Sequence, residues 1–92
     1  MKNILVQFNQ IDFTVQRYEQ TIKDLKAAGA GSPPGRLYHV ATLQPSGMLV
    51  TDVWESEEAL NKFSETLIPI LKKNGVTPAP PVFHQVHNII SK

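Results

Sequence analysis

The 92-residue sequence predicts an α+β fold, a four-stranded antiparallel sheet with two helices on one face in the order βαββαβ, the split βαβ arrangement of ferredoxin-like folds. Three observations predict it. Two segments place apolar residues at helical spacing, four short segments are rich in β-branched and aromatic residues, and Gly- and Pro-rich stretches separate them. A chain of this length is expected to form one domain, residues 1–92. Burying only about 60–65% of its unfolded surface, such a domain has a modest core to which a partner subunit would add substantially.

The first strand is KNILVQFN, residues 2–9. Asp12 or Thr14 caps the following helix, whose apolar positions are Val15, Tyr18, Ile22 and Leu25, and Gly29 closes it. In GAGSPPG, residues 29–35, five of seven positions are Gly or Pro, so this is a loop. Arg36 to Gln44 and Met48 to Trp54 read as strands of a hairpin. Pro45 and Ser46 suit the centre of a type I turn and Gly47 the left-handed position of a three-residue loop, pairing Gln44 with Met48. Ser56 opens the second helix, with Glu57 and Glu58 at its positive end, Lys72 and Lys73 at its negative end, and Gly75 after it. Ala59, Phe63, Leu67, Ile70 and Leu71 form its apolar stripe, and Pro69 predicts a kink or break near Glu65. TPAPP, residues 77–81, is an extended connector into a last strand over residues 82–90.

In that hairpin register Tyr38 faces Trp54, Val40 faces Asp52 and Thr42 faces Val50 on one side of the sheet. His39 meets Val53, Ala41 meets Thr51 and Leu43 meets Leu49 on the other, so neither side is polar. An antiparallel sheet with one wet face alternates cleanly, and two apolar faces require a cover on the side the helices leave open. A homodimer with its sheets packed face to face is therefore expected.

Composition excludes several classes. Without cysteine there is no disulfide, thiolate metal site or Cys nucleophile. A net charge of +1 from scattered basic residues offers no footprint for nucleic acid. The apolar run Ile4 to Val6 is too short for a signal-peptide core or membrane span, so a cytoplasmic protein is expected. His84 and His87 point to opposite faces of a strand, and no HxH or HxxxH spacing occurs, so no metal is expected. No cofactor is expected either, because GAGSPPG lacks the ending of a phosphate loop and its prolines remove backbone donors.

The candidate catalytic residues are His39, His84 and Asp52. Histidine is the side chain whose unperturbed pKa lies near neutrality, so the two are natural proton-transfer candidates; the alternative is that they pack as hydrogen-bonded strand residues. Asp52 lies between Val50 and Trp54 on one strand face, so it must be paired, solvated in a cavity or protonated. Its alternative role is an ion pair with Arg36 or a lysine. Tyr38 and Trp54 are candidate ligand-binding residues forming an aromatic wall, with Met48 as adaptable filler, or else they are core. Arg36 either holds a carboxylate or phosphate or is a solvated surface residue.

The segments GSPPGRLYHVA, DVWESEEALNKF, LIPILKKNG and HQVHNII resemble small stand-alone proteins of the dimeric α/β-barrel superfamily, the group that includes antibiotic-biosynthesis-monooxygenase-like domains. The resemblance spans nearly the whole chain and implies a homodimer with a pocket between sheet and helices. It further implies a small apolar or aromatic ligand and cofactor-independent monooxygenase or isomerase chemistry. A non-catalytic homodimeric binding or assembly module is the alternative.

Overall fold

The computed structural model describes residues 3–91. Its elements are β1 (Ile4–Gln10), α1 (Val15–Ala27), β2 (Arg36–Gln44), β3 (Gly47–Trp54), α2 (Glu57–Lys73) and β4 (Val82–Gln85). The strands form one antiparallel sheet in the order β2-β3-β1-β4, the βαββαβ arrangement predicted from the sequence.

Both helices begin where a side chain satisfies an otherwise orphaned backbone donor. Thr14 rather than Asp12 caps α1, its Oγ1 accepting from Arg17 N at 3.1 Å, and Ser56 Oγ accepts from Ala59 N at 3.1 Å in α2. Helix α2 runs unbroken through Pro69, and Leu60 joins Phe63 and Leu71 among its buried residues. Asn74 Nδ2, just past α2, donates to Asp24 Oδ2 of α1 at 3.0 Å and, with Gln20 and Lys73, lowers the Asp24 carboxyl below its ordinary 3.8.

Met48, Val50, Asp52 and Trp54 of β3 alternate toward the helices, as do their β1 partners Gln10, Phe8, Val6 and Ile4. Two apolar clusters result. One joins Val6, Leu25, Trp54, Leu60 and Phe63; the other joins Phe13, Met48, Val50, Leu71 and Val76.

The hairpin register differs from the predicted one by a residue. Gln44 pairs with Gly47, so Leu43 meets Met48, Ala41 meets Val50, His39 meets Asp52 and Tyr38 meets Val53. The loop is Pro45-Ser46 alone, and Gly47 belongs to the strand. A Cβ on Gly47, at φ +126°, would collide with the Gln10 carbonyl oxygen, so close approach to the end of β1 requires a glycine here. The pairing then shifts again, because Arg36 meets Trp54 and Leu37 is an extra, bulged residue.

The last strand is also shorter than predicted. β4 stops at Gln85, and residues 86–91 carry no regular structure, although Val86 N still donates to Asn3 O at 3.0 Å. The sheet face away from the helices carries Leu5, Val53, Tyr38, Val40 and Val82, of which the last three are about half exposed (48–54%).

Candidate active site

The corrected register places His39 on the helix-covered face directly across from Asp52. His39 Nδ1 lies 2.7 Å from Asp52 Oδ1, and Trp54 Nε1 donates to Asp52 Oδ2 at 3.3 Å. On its far side, His39 Nε2 lies 2.7 Å from the Tyr18 hydroxyl of α1, whose ring stacks parallel to the imidazole with centroids 6.0 Å apart. A neutral His39 completes this chain with one tautomer: Nδ1–H donates to the carboxylate and Nε2 accepts the tyrosine proton. Asp52 is only 4% exposed, and two donors stabilise its charge where water is scarce. Burial is the main cause that raises the Tyr18 phenol above its ordinary 10.0; Glu19 and Asp52 add to the rise and Arg36 opposes it.

Between the sheet and the helices lies a cavity of about 280 Å³. Its walls are mostly apolar, including Phe8, Phe13, Leu25, Leu60, Phe63 and Leu67. Asp52 and Arg36 bring the ionisable groups to this lining. The connector after α2 forms another wall through Pro78, Ala79 and Pro81. Two side chains tie it down, with Gln10 Oε1 accepting from Ala79 N at 2.9 Å and Asp12 Oδ2 from Thr77 N at 3.1 Å.

Of the residues singled out from the sequence, the fold joins three in one chain of contacts: His39, Asp52 and Trp54. Asp52 takes His39 and Trp54 as partners, in place of the anticipated Arg36 or lysine. Trp54 is fully buried and packs against Phe63 with ring centroids 5.4 Å apart. Tyr38 does not pair with it: the register turns Tyr38 to the open face opposite Val53, where it is 49% exposed, so no Tyr38–Trp54 wall exists. His84 also lies on the open face, opposite Leu5 and exposed. Met48 is buried in the second apolar cluster, outside the cavity lining. Sequence reasoning placed Tyr18 only in a helix stripe. Its signal was the hydroxyl, a polar tip at an apolar position that needs a partner when buried.

Among the described residues, no group of three or more His, Cys, Asp or Glu side chains is placed to hold a metal ion. No described helix is long and apolar enough to cross a membrane.

No family model matches the chain, and no curated protein is similar to it in sequence. Solved structures do match. A Deinococcus radiodurans protein assigned as an antibiotic biosynthesis monooxygenase is 16% identical with a TM-score of 0.59, covering 100% of this chain and 98% of its own. A Streptomyces coelicolor monooxygenase, solved with nanaomycin D, is 19% identical with a TM-score of 0.60, covering 99% and 92%. SnoaB, a cofactor-independent oxygenase from Streptomyces nogalater, is 12% identical with a TM-score of 0.60, covering 99% and 97%. The chain thus has the ferredoxin-like fold of antibiotic-biosynthesis-monooxygenase-like proteins.

Proposed function

We propose that the protein is a homodimer that binds a small apolar or aromatic molecule between sheet and helices and acts on it as a cofactor-independent monooxygenase or isomerase. The observation that carries this reading is a buried carboxylate, Asp52, on the wall of an apolar cavity and backed by His39. Both reactions share their first step, removal of a proton from an acidic C–H or O–H of the substrate. Asp52 faces the cavity and has lone pairs beyond those given to His39 and Trp54, so it is the group that takes the proton. His39 acts through Asp52 as the positioning residue. Returning the proton to another atom of the resulting anion completes an isomerisation. Reaction of the anion with dioxygen completes an oxygenation: a CH₂ group becomes a carbonyl, one oxygen atom enters the product, and the other leaves as water with both hydrogens.

The half-exposed residues of the open sheet face supply the reason for a second copy, since an apolar face of this kind is stable when paired with itself. The competing reading, a non-catalytic homodimeric binding or assembly module, draws on the same network, because each Asp52 oxygen already has a protein donor.

Incubating the protein with 2-tetralone, whose C1 methylene is acidic and oxidisable to a carbonyl, under air separates these readings, with oxygen uptake followed against the uncatalysed rate. Wild type is expected to accelerate uptake and Asp52→Asn to lose at least ~10-fold of that acceleration while remaining folded. Bound probe without any acceleration would favour the non-catalytic module. Native mass spectrometry of the same samples reports the subunit count.

A further inference from the structure

We infer that Arg36 is the specificity-determining residue of the cavity and selects ligands bearing a negatively charged oxygen on an apolar skeleton. The inference deepens the function proposed above and rests on the cavity being the ligand site.

The argument starts with the bulge. Counting back from the His39–Asp52 pair in unbroken antiparallel register would set Leu37 opposite Trp54 on the helix-covered face and turn Arg36 outward. The extra residue at Leu37 reverses this. Arg36 instead pairs with Trp54 and lines the cavity, while Leu37 is left 45% exposed. A bulge costs ladder pairing and exposes an apolar side chain, and such bulges recur beside functional sites because they re-aim one residue.

The guanidinium is held in place without being neutralised. Nη2 donates to Gly31 O at 3.2 Å in the Gly- and Pro-rich loop, and Cζ lies 5.7 Å from the centroid of the Phe63 ring. Among the described residues, no carboxylate lies within ion-pair distance of it. Asp52, the other charged group on the wall, has each oxygen engaged by His39 or Trp54. A planar cation with N–H donors to spare, fixed on the wall of an apolar cavity, matches the geometry of a carboxylate or enolate oxygen. The apolar body of such a ligand occupies the space between Phe8, Phe13, Leu25 and Leu60. At about 280 Å³ the cavity falls just below the usual range for ligand pockets, roughly 300–1,000 Å³, which favours a ligand of one or two rings.

The test measures binding of 2-naphthoate and its neutral counterpart 2-naphthamide by calorimetry to wild type, Arg36→Met and Arg36→Lys. Arg36→Met keeps an unbranched apolar stem at this position without the guanidinium, and circular dichroism verifies its fold. Wild type is expected to prefer naphthoate by at least tenfold. Arg36→Met should erase that preference with naphthamide affinity unchanged, and Arg36→Lys should restore part of it. Equal binding of the two probes to wild type, or a preference that survives in Arg36→Met, would overturn the role of Arg36 and leave the cavity reading intact. Failure of both probes to bind wild type would overturn both.

Discussion

Both faces of the sheet carry large apolar side chains, and their fates are opposite. On the face beneath the helices, Val6 and Trp54 are fully buried, and even a carboxylate, Asp52, is removed from water because His39 and Trp54 supply its hydrogen bonds. On the other face, Tyr38, Val40 and Val82 stand about half exposed. The comparison teaches that hydrophobic content alone does not say where the core lies. Two helices can cover only one face, and polar chemistry collects where the cover excludes water but leaves a cavity.

The comparison breaks most sharply at Trp54. Trp54→Ala removes the largest fully buried side chain, its packing on Phe63 and one donor to Asp52, and is expected to cost about 3–5 kcal/mol by urea denaturation. An effect within 1 kcal/mol would mean that the covered face is not the core. Val40→Lys probes the opposite face, where Val40 is 48% exposed. It should weaken self-association by about 100-fold, or ~3 kcal/mol, in sedimentation experiments, while the monomer's stability changes by no more than about 0.5 kcal/mol. Unaltered association would show that this face is not the contact between copies.

The smallest effect concerns Tyr18. Its phenol is raised above 10.0 in the folded protein, so the folded state holds that proton more tightly than the unfolded chain. The resulting stabilisation is complete below pH 10 and is lost as pH rises through the folded pKa. Because the hydroxyl bonds His39 at 2.7 Å, wild type should exceed Tyr18→Phe in stability at pH 8, and because the raised phenol must ionise at high pH the gap should narrow above pH 10 in denaturation curves. A gap that stays constant would mean that burial in the folded protein does not raise the phenol above its ordinary value.

The sequence by itself determined the order of the elements, the caps at Thr14 or Asp12 and Ser56, the loop after α1, and the two-faced apolar sheet. Each of these follows from local propensity or from residue periodicity, which neighbours along the chain specify. It also marked Asp52 and His39 as unusual, though it set them on opposite faces. Only the tertiary structure brought them together, and the reason is parity. Strand side chains alternate with period two, so moving one residue, Gly47, from the turn into β3 changes every partner across the hairpin. That choice depends on Gly47 packing against the Gln10 and Ile11 backbone, a contact between segments far apart in sequence. The same holds for the bulge that turns Arg36 inward and for Tyr18, whose partner is 21 residues away on another element. Local sequence encodes which segments become strands and helices; only long-range packing decides which side chains meet across them.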